Sequence, residues 1–164
     1  MSIITAALFT IVLGQNAPAT KPDPVEFRIC KRLIGGVWRG KLPNGMPVDA
    51  RYQLAENGKL IVGRTMVGDP KKPAVVMESK IGMEAGTNRV FYMDFHGKDT
   101  LYLGFITQVG DKLEFDFKGQ LSDTNHYLAV ESITANRLTS TLYFINEFGD
   151  KKEMHGMVLE RKSK

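Results

Sequence analysis

Apolar and polar residues alternate in ten short runs along most of this chain, from Leu33 to its end. Nine turn signals separate these runs at intervals of roughly a dozen residues, among them Asn44-Gly45, Asn57-Gly58 and Gly110-Asp111. Alternation with a period of two is typical of a β-strand that has one buried face and one solvated face. The pattern therefore predicts an all-β domain over residues 33–164.

The run from Lys112 to Lys118 gives the clearest strand. Leu113, Phe115 and Phe117 fall on one face, and charged residues fall on the other. The same reasoning predicts three further inward-facing sets, which are Val48, Ala50, Tyr52 and Leu54; Leu101, Leu103 and Phe105; and Leu138, Ser140, Leu142 and Phe144. The run from Arg89 to Phe95 is ambiguous because bulky residues fall on both of its faces.

The short connections predict that strands adjacent in sequence pair as antiparallel hairpins. A sandwich usually needs longer crossings between two sheets, and an open meander of this length would expose two unpaired edges. Closure removes both edges. We therefore expect an antiparallel up-and-down meander β-barrel of about 8–10 strands, with one short N-terminal helix.

The first nineteen residues predict a signal peptide, 1–19. Ile3 to Leu13 is an uncharged apolar run that suits a signal-peptide core and is too short to span a bilayer. Small residues allow cleavage after Gly14 or after Ala19. The expectation is a secreted or periplasmic protein with no integral membrane segment in its mature form. The alternative is a buried N-terminal strand.

Residues 20–32 predict a spacer followed by a short helix. Three prolines between Pro18 and Pro24 favour an exposed segment, and Asp23-Pro24 is a suitable helix start. Val25, Ile29 and Leu33 then recur at helical spacing. Such a helix could cover one end of the barrel.

Composition excludes some classes of function. The net charge is +4, but the basic residues are dispersed, which does not favour a nucleic-acid partner. Cys30 is the only cysteine, so no intrachain disulfide can form, and its apolar neighbours favour a buried thiol. The common nucleophile-elbow, phosphate-loop and zinc-protease motifs are absent from the sequence, so it indicates no catalytic residues. The oligomeric state stays open.

Gly36-Val37-Trp38-Arg39-Gly40 forms a Gly-x-Trp-x-Gly motif just after the short helix. This motif resembles the entrance motif of the calycin superfamily, which includes lipocalins and fatty-acid-binding proteins. The surrounding segment is similar to small bacterial lipocalin-like domains and, more distantly, to nitrobindin-like haem-binding barrels. The resemblance implies a lipocalin-like barrel in which Trp38 plugs one end. Leu42 stands where the nitrobindin pattern usually has a further glycine.

A barrel of this size can hold side chains or one small ligand. We expect a non-catalytic protein that binds a small hydrophobic or amphipathic ligand without a cofactor. The residues expected to bind the ligand are Trp38, Tyr52, Met77, Glu78, Phe91, Phe105, Phe115, Tyr127 and Phe144. Glu78 and Glu131 each interrupt an apolar strand, and an inward glutamate paired with Arg64 or Arg39 would make a polar anchor. The alternatives are that both glutamates point outward, or that the barrel is filled and binds nothing.

The nitrobindin resemblance also implies a haem ligand on the last strand. His155 lies there, in phase with the apolar Met157 and Leu159. This defines an alternative function, a haem-binding barrel with His155 as the axial ligand. The competing interpretation is an ordinary histidine in the barrel wall. The spacing of the three histidines does not resemble a zinc motif.

Overall fold

The computed structural model describes residues 22–163, in which strands account for most of the regular structure. Helix α1 spans Val25–Cys30 and is followed by one turn of 3-10 helix at Lys31–Leu33. The strands are β1 (Val37–Lys41), β2 (Pro47–Leu54), β3 (Leu60–Asp69), β4 (Lys72–Met83), β5 (Val90–His96), β6 (Thr100–Val109), β7 (Lys112–Gly119), β8 (His126–Ile133), β9 (Arg137–Ile145) and β10 (Lys151–Lys162).

The ten strands form a closed antiparallel barrel. Each strand pairs with its neighbours in sequence, and β1 completes the circle by pairing with β10, from Val37 opposite Lys162 to Lys41 opposite Val158. Closure leaves none of these strands as an unpaired sheet edge. The predicted all-β, up-and-down barrel with one short N-terminal helix is therefore confirmed, at ten strands.

Two glycines of the Gly-x-Trp-x-Gly motif allow the strands to approach at the β1–β10 seam. Gly36 has φ +70°, and a Cβ there would lie 2.9 Å from the carbonyl oxygen of Lys162. A Cβ at Gly40 would overlap the carbonyl oxygen of Val158. Larger residues at either position would push β1 away from β10, and this explains why the motif has glycine at both positions.

Helix α1 and the turn after it cover one end of the barrel, where β1 begins and β10 ends. Phe27, Cys30 and Leu33 are buried there together with Trp38, which has no solvent exposure. The indole N–H of Trp38 donates a hydrogen bond of 2.8 Å to the carbonyl oxygen of Leu33, and the Arg161 guanidinium lies 4.5 Å from the indole ring. We call this the sealed end.

Polar contacts attach the N-terminal cover to the barrel. The Asp23 carboxylate accepts hydrogen bonds from Lys31 at 2.6 Å and from Lys59, in the β2–β3 turn, at 3.1 Å. These two bonds lower the pKa of Asp23 below its usual value. Arg32 donates to the carbonyl oxygen of Ile133 at 3.1 Å. The cover therefore contacts the barrel at both β2–β3 and β8.

The predicted signal peptide, 1–19, lies outside the described residues and stays a prediction. The helix predicted within 20–32 is confirmed as Val25–Cys30. Among residues 22–163, no helix has the length and apolar character needed to cross a membrane.

Candidate ligand-binding cavity

A cavity of about 450 Å³ lies inside the barrel, and Leu33 of the sealed end contributes to its lining. Three other lining residues, Met46, Val75 and Met154, are 37%, 41% and 51% exposed. All three belong to the end opposite α1, as the strand directions show. The cavity therefore opens to solvent at that end, which we call the mouth.

Aromatic side chains form a continuous wall on one side of the cavity. This aromatic wall consists of Tyr92, Tyr102, Phe115, Phe117 and Tyr127, from β5 to β8. Tyr92 meets Phe115 edge to face at 5.3 Å between ring centroids, and Phe117 stacks on Tyr127 at 5.8 Å. Contacts of this kind orient the rings and hold them in place.

The opposite side of the cavity is mainly aliphatic. Its side chains come from β2 to β4 and from β9 and β10, and they include Val48, Val67, Met77, Ile81, Leu142 and Met157. The combination gives a largely apolar container with a few polar groups, as is usual for sites that bind small molecules.

Asp94, on β5, is the most buried charged residue in the lining, at 7% exposure. Its Oδ2 atom accepts a hydrogen bond from the Tyr92 hydroxyl at 2.9 Å and lies 2.7 Å from Nε2 of His96. Its buried Oδ1 atom has no hydrogen-bond partner among the described residues. An unpaired buried carboxylate oxygen is costly, so this atom requires an explanation.

Glu131, on β8, is a second carboxyl group in the lining. Burial raises its pKa to about 7, the nearby charge of Asp94 contributes in the same direction, and the Ser140 hydroxyl opposes both. Ser140 lies directly opposite Glu131 on β9. The carboxyl is therefore poised to change its charge near neutral pH.

The same carboxyl groups affect the tyrosines beside them. Burial raises the pKa of Tyr92, and Asp94 raises it further. Burial also raises the pKa of Tyr52, and Glu131 adds to the effect. Both phenols therefore remain protonated hydrogen-bond donors, and these four residues form a polar cluster within the cavity.

A third carboxylate, Asp123, lies in the β7–β8 loop at the mouth. It accepts hydrogen bonds of 2.8 Å from the hydroxyls of both Tyr102 and Tyr127. Burial tends to raise its pKa, but the Asn125 backbone N–H and these hydroxyls outweigh burial, and the pKa lies below its usual value. The loop is thereby attached to the aromatic wall.

Four of the residues predicted to bind a ligand line this cavity: Tyr52, Met77, Phe115 and Tyr127. Phe144 lies beside it, with its ring centroid 6.1 Å from that of Tyr127. Whether these residues bind a ligand stays a prediction.

Trp38 does not reach the cavity lining, because it lies in the core of the sealed end. Its position at one end of the barrel agrees with the expected plug. Because its side chain is wholly buried and lies outside the lining, the structure does not support direct contact between Trp38 and a ligand.

Glu78, which is among the residues expected to bind a ligand, is exposed on the outer face, as in the alternative in which it points outward. Its nearest strand partners are the exposed Arg64 on β3 and Phe95 on β5. Arg39 is also exposed and pairs with Asp49 at 3.3 Å. Neither Arg64 nor Arg39 therefore pairs with a glutamate inside the barrel, and Glu131, not Glu78, is the glutamate that lines the cavity.

Phe91 and Phe105 also lie on the outer face, directly opposite each other on β5 and β6. Phe105 is in turn opposite the exposed Asp116 of β7, and the Arg89 guanidinium lies 3.5 Å from its ring centroid. The prediction that Leu101, Leu103 and Phe105 of β6 face inward is therefore wrong. Tyr102 and Ile106 face inward instead.

The physical reason is that both faces of β5 carry bulky residues, and the face that lies inside is the more polar one, with Asp94 and His96. Periodicity then identifies two faces but does not decide which one is inside. The outer face of these strands carries a stripe of apolar residues, which are Phe91, Met93, Phe95, Leu101, Leu103 and Phe105.

The sequence interpretation missed Asp94 and His96 as cavity residues. A signal was present, because Tyr92, Asp94 and His96 alternate and must share one face of a strand. A face with a phenol, a carboxylate and an imidazole is unusual for the interior of a barrel.

His155 lines the cavity near the mouth, together with Met154 and Met157. It is half-buried, and no described residue forms a side-chain hydrogen bond with it within the structure. His126, in contrast, lies 2.6 Å from the exposed Asp116 carboxylate. Residues 22–163 contain no cluster of three or more potential metal ligands.

The fold and cavity together define a closed ten-stranded antiparallel barrel with one sealed end and one open end. The chain is similar in structure to Rv2717c from M. tuberculosis, with a TM-score of 0.56 and 13% sequence identity, over 86% of this chain and 99% of that chain. At this identity the similarity establishes the barrel fold alone. No protein-family model matches the chain, and no curated protein matches its sequence.

Proposed function

We propose that this protein is an exported, lipocalin-like barrel that binds a small hydrophobic or amphipathic ligand without catalysis. The observation that carries the proposal is the cavity of about 450 Å³ with a mainly apolar lining and an open mouth. Binding in such a cavity is driven by removing apolar surface of the ligand from water. The few polar groups of the lining would set the orientation of the ligand.

Two features support assignment to the calycin type. The Gly-x-Trp-x-Gly motif lies at the start of β1, and Trp38 is wholly buried at the sealed end. The helix precedes the barrel and covers that same end.

Export is proposed from the apolar run Ile3 to Leu13 and the two small-residue cleavage sites after it.

Binding is tested with a neutral apolar dye, Nile red, and a variant that fills the cavity. Ala129 lies on β8 and lines the cavity, so Ala129→Phe would occupy part of its volume. The matched control is Val130→Phe, because the neighbouring residue on a strand points to the opposite face. We expect saturable dye fluorescence with the original protein and the control, and a large loss with Ala129→Phe. Equal binding by both variants, or no saturable binding at all, would contradict the proposal.

Haem binding is a second candidate function, and His155 is the observation that favours it. Its imidazole lies in the lining, beside apolar side chains, and its ring nitrogens form no internal hydrogen bond among the described residues. An imidazole in that setting can serve as an axial iron ligand. A haem would supply redox or gas-binding chemistry, while the protein would provide His155 and the surrounding apolar walls.

A haemin titration distinguishes the two candidates. Under the haem hypothesis, absorbance shows a Soret shift that saturates at one equivalent and is lost in His155→Ala. The control is His126→Ala, whose imidazole pairs with Asp116 instead. No shift with the original protein would remove the haem candidate and leave the carrier.

A further inference from the structure

Apart from two histidines, the charged residues that line the cavity are acidic. Asp94 and Glu131 both belong to the lining, and none of the described residues that form it is a lysine or an arginine. The protein as a whole carries a net charge of +4, so the interior differs in sign from the rest of the molecule. A carboxylate ligand would bring a third negative charge to this site without a fixed cation to pair with it.

The Asp94 carboxylate is only partly satisfied. Tyr92 and His96 both contact Oδ2, whereas the buried Oδ1 atom has no partner among the described residues. Native proteins rarely leave such an atom unpaired without a reason. A ligand that presents a positive charge or a hydrogen-bond donor near Asp94 would supply the missing interaction.

The aromatic wall favours a positive charge in particular. Tyr92 belongs to this wall and its hydroxyl also donates to Asp94, so the aromatic wall and the carboxylate adjoin one another. Aromatic faces attract cations, and organic ammonium groups are recognised by several rings acting together. The aliphatic side, in contrast, offers mainly apolar contact, which suits the body of an amphipathic molecule.

We propose that the cavity selects amphipathic organic cations, such as alkylamines or alkylammonium compounds, over carboxylates of equal chain length. The ammonium group would lie between the aromatic wall and the Asp94 and Glu131 carboxylates, and the alkyl chain would contact the aliphatic side. This inference rests on the proposed ligand-binding function and names the class of ligand.

The test uses direct calorimetric titration at pH 8 with three ligands that share one alkyl chain: decyltrimethylammonium, decanol and decanoate. Each is used below its critical micelle concentration. We expect the cation to bind at least about tenfold more tightly than the alcohol, and the carboxylate to bind most weakly. Asp94→Asn and Glu131→Gln should each reduce the preference for the cation over decanol.

Glu78→Gln is the control variant, because it removes a carboxylate from the outer face and leaves the cavity unchanged. The melting transition of each variant shows whether it has folded, and Glu131→Gln keeps the test valid if Asp94→Asn does not fold. Decanol or decanoate binding as tightly as the cation would overturn this inference and leave the carrier function standing. Failure of all three ligands to bind would overturn both.

Discussion

The indole N–H of Trp38 donates a hydrogen bond of 2.8 Å to the carbonyl oxygen of Leu33, which joins β1 to the last residue of the 3-10 turn. Both residues are almost completely buried. The contact therefore ties the first strand of the barrel to the cover of its sealed end, and it gives the buried indole N–H a hydrogen-bond acceptor.

Replacing Trp38 should show how much the sealed end contributes to stability. We expect Trp38→Ala to lower the free energy of unfolding by about 3–5 kcal/mol, since it leaves a cavity in the core. Trp38→Phe retains a ring but loses the hydrogen bond and part of the volume, so it should cost less. Chemical denaturation measures both. A nearly neutral Trp38→Ala would show that the indole does not support the seal.

Gly40 should tolerate no side chain, because a Cβ would overlap the Val158 carbonyl across the β1–β10 seam. We expect Gly40→Ala to destabilise the protein by about 1–3 kcal/mol, as overpacking commonly does. Gly156→Ala is the matched control, since the nearest atom to its added Cβ would be 3.5 Å away. Denaturant midpoints should fall for the first variant and change little for the second. Equal effects of the two would argue against a specific constraint at the seam.

Glu131 should make stability depend on pH. Burial raises its pKa from 4.5 to about 7, so the folded protein binds a proton more strongly than the unfolded chain does. The contribution of this group to stability is complete below about pH 4.5 and is lost as the pH rises through about 7, at a cost on the order of 2–3 kcal/mol. Groups near the carboxyl on other elements are Asp94, Tyr52, Tyr92, Cys30 and Ser140.

The measurement is urea denaturation between pH 5 and pH 8 of the original protein and of Glu131→Gln. The difference in stability between the two proteins should shift in favour of the variant as the pH rises, because glutamine is neutral throughout. A difference that is constant with pH would show that the Glu131 carboxyl has an ordinary pKa in the folded protein. Glu78→Gln, on the outer face, again serves as the control.

Export predicts a shortened mature chain. If the N-terminal residues act as a signal peptide, protein recovered from the periplasm or medium should begin at Gln15 or at Thr20, after cleavage at Gly14 or Ala19. Intact-mass measurement and N-terminal sequencing distinguish these two products. Recovery of the full-length chain from the cytoplasm alone would contradict export.

Strands with one apolar face and one charged face were predictable from the sequence, and β7 shows why. Its charged residues share one face, and burying all of them would be costly, so Leu113 and Phe115 are predicted to point inward, and their burial confirms it. The hairpin order followed from the short connections in the same way. These features depend on residues that are close together in the sequence, so they can be read from the sequence directly.

The polar part of the cavity could not be predicted in this way. Asp94 lies on β5, where both faces are bulky, and it shares the cavity face with Tyr102, its partner on β6. Glu78 and Glu131 each interrupt an apolar strand, yet one lies outside and the other inside. The choice between them depends on the register of several strands around the whole barrel, which is not a local property.

The sealed end has a practical consequence for anything joined to this protein. Residue 22 enters beside α1, and Lys162 lies opposite Val37 at the same end, so both ends of the described chain emerge on the side away from the mouth. A linker, reporter domain or solid support joined directly to residue 22 or to residue 163 would therefore begin on the side away from the mouth. The barrel is thus suited to immobilised binding assays and to fusion as a sensor, in an orientation fixed by its own topology.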